Sequence, residues 1–108
     1  MLNKFNHGLT DNDLGIITDI LKPYKGIERI GFFGSRATGT YKPYSDIDMV
    51  LYGAVTEADG DHIQTLFIDS PLVYKVDVVV YHTIDHLPLK AHIDQSVQIL
   101  YDKSQCTL

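Results

Sequence analysis

Hydrophobic residues recur along the chain with two different spacings, which separate predicted helices from predicted strands. After Thr10, apolar side chains recur at helical spacing through residues 11–22, so we predict an amphipathic helix that ends before Pro23. Residues 56–68 show the same spacing and predict a second, shorter helix. Residues 87–95 predict a third helix near the end of the chain.

Four other segments are short, rich in β-branched and aromatic residues, and bounded by turn-forming residues, as strands typically are. They comprise residues 27–33, 46–52, 74–81 and 97–101. Because residues 74–81 are apolar on both faces, we predict that this strand lies centrally, with 97–101 as a short edge strand. The first two strands are joined by the polar loop 35–45, which has room for one helical turn but not for a parallel crossover. The sheet should therefore be mixed.

Length and composition agree with one folded domain. The chain has 108 residues, 44% hydrophobic and 21% charged, which is typical of a globular protein with a packed core. The order of the elements predicts an α/β (α+β) fold, a small mixed β-sheet with helices packed mainly on one face. Because the chain has few helices, they can hardly cover both faces of the sheet. One face or one end of the sheet should therefore remain for a ligand or another protein.

Charge and cysteine content narrow the class of protein further. Nine basic residues against 14 acidic ones give a formal net charge of −5, which provides no electrostatic support for general nucleic-acid binding. No apolar run approaches the ~20 residues that span a bilayer, and the N-terminal residues lack the pattern of a signal peptide. The single Cys106 has no partner for an internal disulfide. We therefore expect a cytoplasmic protein without membrane contact.

The candidate chemistry begins with three acidic residues. Asp46 and Asp48 are two apart on a predicted strand, so both carboxylates point to one face with about 6.6 Å between their Cα atoms. Such a pair is costly unless a cation lies between the carboxylates, and hard divalent cations such as Mg²⁺ favour oxygen ligands. Asp77 lies within the most apolar strand. If that strand neighbours the acidic pair, three carboxylates can hold two metal ions and serve nucleotidyl transfer.

The residues that follow the first predicted strand suit phosphate binding. Gly34 lets the backbone approach a ligand, and Ser35 offers a hydroxyl and an N–H to phosphate oxygens. Arg36 can add a charge-assisted contact. The half-motif Gly-x-x-x-x-Gly of a P-loop also ends at Gly39, but Thr40 stands where that motif requires lysine, which excludes a P-loop.

This set of residues resembles a known family. The matching residues are Gly34-Ser35, then Asp46-x-Asp48 after ten intervening residues, and Asp77 in a later Val-rich strand. They resemble the polymerase-beta-type nucleotidyltransferase superfamily, and are most similar to its minimal members, the MNT proteins usually encoded beside a HEPN-domain partner. The resemblance implies a polymerase-beta-like fold in which the whole chain, residues 1–108, forms one nucleotidyltransferase domain.

The resemblance also implies a role for each residue of the motif. The implied metal ligands and catalytic residues are Asp46, Asp48 and Asp77, the last as third ligand or general base. The implied nucleotide-binding residues are Gly34, Ser35 and Arg36. The implied cofactor is Mg²⁺, with Mn²⁺ left open, and the implied nucleoside triphosphate substrate is ATP.

The family also implies a partner. Minimal members are similar to antitoxins that transfer AMP from ATP to a tyrosine hydroxyl of a HEPN RNase toxin and thereby silence it, so the resemblance implies that activity here. Two alternatives stay open: a catalytically silent binding module that neutralises the partner by contact, and a transferase acting on a small molecule or an RNA end. The sequence leaves open whether the chain forms a homo- or hetero-oligomer.

Two further patterns have ordinary explanations. His82 and His86 are four apart, but Thr83 replaces the glutamate of a His-Glu-x-x-His zinc motif, so we interpret them as surface or packed histidines. Tyr41 and Tyr44 lie in the loop before the acidic pair. They can stack on a nucleotide base, although we favour exposed loop aromatics without a ligand.

Overall fold

The computed structural model describes residues 2–105, so the Cys106 thiol lies outside the described residues. Within them, four helices alternate with four strands. The helices are α1 (Asp11–Leu21), α2 (Ser35–Thr38), α3 (Glu57–Ile68) and α4 (Leu87–Ser96). The strands are β1 (Ile27–Phe33), β2 (Ile47–Gly53), β3 (Val76–Val80) and β4 (Gln98–Asp102). Each predicted element is present, and α2 is the single helical turn within the predicted loop. Asp46, predicted as the first residue of the second strand, lies directly before β2, and β3 is shorter than the predicted 74–81.

The two longest helices begin at the same local pattern. Thr10 Oγ1 accepts the backbone N–H of Asp13 at 3.1 Å, and Asp13 Oδ2 accepts the backbone N–H of Thr10 at 3.0 Å. Thr56 and Asp59 repeat this reciprocal pair in front of α3, at 3.0 and 3.1 Å. Such a cap typically contributes about 1 kcal/mol. Local sequence therefore fixes where α1 and α3 begin.

The four strands form one mixed sheet in the order β3-β2-β1-β4. β1 is antiparallel to both of its neighbours, β2 and β4. β2 and β3 are parallel, and α3 provides the crossover that a parallel pair needs. This topology confirms the mixed sheet and the edge position of β4.

The predicted central position of the Val-rich strand is wrong, because β3 lies at the other edge of the sheet. The side chain of Gln64, from α3, takes the place of a further strand. Its Nε2 donates to the carbonyl of Val76, and its Oε1 accepts the backbone N–H of Val78 at 2.8 Å. The apolar composition of β3 therefore reflects its packing against α3. The Gln64 amide occupies backbone groups on the outer edge of β3 and protects that edge from pairing with another strand.

The sheet separates a large core from a small one. The large core lies on the face covered by α1 and α3, where Phe32, Ile47, Met49, Leu51 and Ile63 are wholly buried. The small core, on the opposite face beneath α4, consists of Phe33, Val50 and Ile93 with partly buried neighbours. This arrangement confirms that the helices pack mainly on one face. Among residues 2–105, no helix has the length and apolarity needed to cross a membrane.

Candidate active site

Asp48 and Asp77 lie side by side on neighbouring strands. Asp48 of β2 is the register partner of Asp77 of β3, in the parallel part of the sheet. Their side chains share the face of Val50 and Val79, two positions further along each strand, which pack in the small core beneath α4. The isolated acid of the Val-rich strand therefore stands beside the second acid of the Asp-x-Asp motif.

The charges of the three acids influence one another. Burial raises the pKa of Asp48 above its ordinary value, and the carboxylates of Asp77 and Asp46 raise it further. His92 and Lys75 act in the opposite direction and lower it. The raised pKa of Asp48 thus follows from its partial burial and from the negative charges around it. A cation binds favourably in such an environment.

As they stand, the carboxylates do not converge on one point. In the part of the chain covered by residues 2–105, no group of three His, Cys, Asp or Glu side chains is arranged to hold a metal ion. Asp77 Oδ1 instead faces Lys75 Nζ at 3.8 Å, in an exposed ion pair of a kind that contributes ~0–1 kcal/mol and is readily exchanged. The donor set nevertheless fits a hard divalent cation, because it is made only of oxygens and the backbone register already places Asp48 beside Asp77.

Glycine is required next to this pair. β1 ends at Phe33, which pairs with Asp48, and Gly34 follows with φ +70°, in the left-handed region. A Cβ added at Gly34 would lie 2.6 Å from Asp48 Oδ2, so the carboxylate rests directly against the glycine. Ser35 comes next and begins α2. The structure thus places Gly34 directly against Asp48, and Ser35 follows it in the chain.

Arg36 occupies a different place from the one its predicted role requires. Its side chain is 1% exposed. Nη1 donates to the carbonyl of His7 at 2.9 Å, while Nε and Nη2 donate to the carbonyl of Ser45 at 3.2 and 2.9 Å. The guanidinium therefore faces inward and holds the loop that leads into Asp46.

Two basic residues near the acids, Lys75 and His92, were not singled out from the sequence. Lys75 is two residues before Asp77, so strand alternation alone would have placed it on the same side. His92 comes from α4, and its ring meets Phe33 edge-on at 6.1 Å. Nothing in the sequence pattern connects His92 with the motif, because its place depends on how α4 packs across the small core.

Asp46 is exposed, and Asp48 and Asp77 are partly exposed. Two surface cavities of about 500 and 280 Å³ lie elsewhere on the molecule, and their lining includes none of the predicted site residues. His82, considered above for zinc, instead has its Nε2 hydrogen-bonded with the carbonyl of Val55.

Three solved structures that share this fold come from toxin–antitoxin complexes. One, a toxin–antitoxin complex with AMP-PNP, has a TM-score of 0.69 and 22% identity over 90% of this chain and 77% of that chain. Another, the tri-AMPylated Shewanella oneidensis HEPN toxin in complex with MNT antitoxin, has a TM-score of 0.64 and 19% identity over 90% and 76%. A third, the toxin–antitoxin MntA-HepT, has a TM-score of 0.63 and 18% identity over 89% and 75%.

The structural similarity at these identities shows the fold, and the sequence comparison adds the family. No curated protein matches the sequence. The family model described as "Polymerase beta, Nucleotidyltransferase" matches residues 16–106, which is most of the chain and includes the whole motif from Gly34 to Asp77. This chain therefore belongs to the polymerase beta nucleotidyltransferase family.

Proposed function

We propose that this protein is a metal-dependent nucleotidyltransferase that transfers AMP from ATP to a tyrosine hydroxyl of a HEPN RNase toxin, and that it acts in the cytosol as the antitoxin. The observation that carries the proposal is the register of Asp48 with Asp77, against the backbone of Gly34. Solved complexes of this fold with AMP-PNP and with a tri-AMPylated HEPN toxin support the nucleotide and the acceptor.

In this proposal the acids bind the cation and orient the reacting groups. Asp46, Asp48 and Asp77 would hold Mg²⁺ or Mn²⁺, and bound cations supply neutralisation of the triphosphate and acidify the attacking hydroxyl. The tyrosine oxygen forms a bond to the α-phosphorus, and the bond to the pyrophosphate oxygen breaks. The hydroxyl proton leaves to a base, and Asp77 is our candidate for that role, supported by the 47% exposure of its side chain.

Phosphate recognition falls to the turn after β1. Backbone N–H groups and the hydroxyl at Gly34 and Ser35 would bind the terminal phosphates, since these residues adjoin Asp48 and glycine permits the close approach. The burial of Arg36 favours a positioning role over a direct phosphate contact. Arg36 would act by fixing the loop that presents Asp46.

The test is labelling of the toxin partner by ATP that carries a labelled α-phosphate. Asp48→Asn removes a charged metal ligand without a change of size, so we expect labelling to fall by more than about 100-fold while the circular dichroism spectrum stays that of the wild type. Asp19→Asn is the matched control, because Asp19 is exposed on α1, which covers the opposite face of the sheet, and should label normally. Undiminished labelling by Asp48→Asn would refute the mechanism.

One observation favours a second candidate, a silent module that neutralises its partner by contact. The three acids do not form a ready metal site among residues 2–105. If this candidate is right, the wild type shows no Mg²⁺-dependent ATP binding, and the double variant Asp46→Asn/Asp48→Asn neutralises the toxin fully. Nucleotidyl transfer predicts the opposite result in both measurements.

A further inference from the structure

The aromatic residues around the loop before Asp46 are used in two different ways. The Tyr41 hydroxyl donates to Asn6 Oδ1 at 2.8 Å, and the ring packs so closely on Gly8 that a Cβ there would lie 2.1 Å from it. Tyr41 and Tyr74 both contact the Arg36 guanidinium, with ring centroids 5.1 and 4.5 Å from its Cζ. Both of these tyrosines therefore serve the packing of the loop.

Tyr44 differs from every other tyrosine in the chain. The other six each make a hydrogen bond, a ring contact or another interaction. Tyr44 is 89% exposed, and within residues 2–105 its side chain has no such partner. The structure thus decides between the two loop tyrosines: Tyr41 is committed to packing, and Tyr44 is available to a ligand.

The turn that carries Tyr44 is rigid. The backbone N–H of Ser45 donates to the carbonyl of Lys42 at 3.0 Å, and the N–H of Lys42 donates to Ser45 Oγ at 2.8 Å. Pro43 stands at the second position of this turn, where its fixed φ is favourable. The buried Arg36 then ties Ser45 down through two N–H groups. The backbone at the tip is therefore fixed before any ligand arrives, while the Tyr44 ring projects from it without a contact of its own among the described residues.

The turn that carries Tyr44 lies close to the candidate site. Tyr44 is two residues from Asp46, so their Cα atoms are at most about 7 Å apart. Arg36 lies in α2, directly after Gly34 and Ser35, and bridges that helix to the turn. The Arg36 contacts and the short chain distance to Asp46 thus place the turn that carries Tyr44 next to α2 and the acidic residues.

We propose that Tyr44 stacks on the base of the bound nucleoside triphosphate and is the residue that recognises the nucleoside. This inference rests on the proposed function, because it requires a triphosphate at the acidic site. A tyrosine on a fixed backbone has only two side-chain torsions to lose on binding, and every base offers a π-face, so the contact is favourable and tolerant of base identity. Purine triphosphates should therefore bind more tightly than pyrimidine triphosphates, with little difference between ATP and GTP.

The experiment compares a ligand that has a base with one that lacks it. Titration calorimetry in Mg²⁺ would measure the binding of AMP-PNP and of inorganic tripolyphosphate to the full chain. We expect Tyr44→Ala to weaken AMP-PNP about tenfold and to leave tripolyphosphate unchanged, whereas Tyr44→Phe keeps both affinities. Val73→Ala is the control, since it truncates another strongly exposed apolar side chain, 82% exposed, and should change neither.

The other possible results of these measurements would each contradict base stacking by Tyr44. Equal weakening of both ligands by Tyr44→Ala would overturn base stacking, because the defect would then lie in the phosphate site. Unchanged binding of both ligands, with weaker labelling of the toxin, would also overturn it and assign Tyr44 to the acceptor protein. If the wild type binds neither ligand, the proposed function falls together with this inference, whereas wild-type binding that Tyr44→Ala leaves intact removes this inference alone.

Discussion

The two faces of the sheet are built on different principles. The face beneath α1 and α3 is lined by closely packed apolar side chains, and Phe32 at its centre is 0% exposed. The face beneath α4 has only a small core around Val50, and next to it stand Asp48 and Asp77, two like charges in register. One face therefore supplies most of the stability, and the other carries the candidate chemistry at a cost in stability.

This difference has a physical reason. Apolar burial is favourable without a ligand, whereas adjacent carboxylates repel until a cation or a protonation relieves them. A site that favours a bound cation must carry that repulsion in its free state, which is why active sites tend to be less stable than the scaffold around them. Changes on the two faces should therefore have opposite effects on the free energy of unfolding.

The largest effect is expected on the core face. Phe32→Ala removes a wholly buried ring that meets Phe5 and His7 edge-on at 5.9 and 6.0 Å, and should lower the free energy of unfolding by about 3–5 kcal/mol. Urea denaturation at neutral pH measures this loss. Ile68→Ala, at a side chain that is 73% exposed, is the control and should change little. A small loss for Phe32→Ala would mean that this face is not the main source of stability.

The edge of the sheet gives the next effect. Gln64→Leu keeps approximately the size of the side chain but leaves the carbonyl of Val76 and the N–H of Val78 without their partner, at a cost of about 1–3 kcal/mol. Hydrogen exchange at the Val78 amide should accelerate in the variant. The exposed Gln95 of α4 provides the control Gln95→Leu. Unaltered exchange at Val78 would show that the Gln64 amide does not protect this edge.

The sequence alone could predict the features that depend on neighbouring residues, but not those that depend on contacts between distant elements. The capping pattern at Thr10 and Thr56 is local, so the positions of α1 and α3 could be predicted closely. The edge position of β3 could not, because it depends on Gln64, which reaches the strand from a separate helix. An apolar strand beneath a helix has the same composition as a central strand, and composition alone does not distinguish them.

The candidate site shows the same limit. Motif spacing was enough to bring Asp48, Asp77 and Gly34 together as candidates, and the register places them as neighbours. The burial of Arg36 was not visible in the sequence, because it depends on carbonyls of His7 and Ser45 that lie 29 and 9 residues away. An arginine next to a phosphate motif looks the same whether it faces the ligand or the interior.

A smaller effect of opposite sign is expected on the site face. Asp48→Asn removes a charge that is repelled by Asp77 and Asp46, so the variant should be more stable than the wild type at pH 7, by up to about 1 kcal/mol. The folded-state pKa of Asp48 is raised, so the wild type gains stability as the pH falls through that value towards 3.8, and the variant lacks this gain. Urea midpoints across this range measure it. A less stable variant at pH 7 would contradict the repulsion.

The smallest effect concerns how His7, on the core face, changes the free energy of unfolding as the pH falls. His7 packs against Phe32 on the core face, and its Nδ1 accepts the backbone N–H of Leu9 at 3.0 Å, so the neutral ring is the form that fits. Burial lowers the pKa of His7 below its ordinary 6.5, and the Arg36 charge lowers it further. Its contribution is therefore complete above pH 6.5 and is lost as the pH falls through the folded-state value, the opposite sign from Asp48.

The comparison of His7→Gln with the wild type isolates this effect from the general action of acid. Unfolding free energies at about pH 7.5 and about pH 5.5 should differ less in His7→Gln than in the wild type, because the variant has no ring to protonate. His86→Gln, at an exposed histidine before α4, should keep the wild-type difference. If all three proteins lose equal stability between these pH values, protonation of His7 is not the cause of the loss. Asp48 is not the cause either, because its protonation stabilises the folded state.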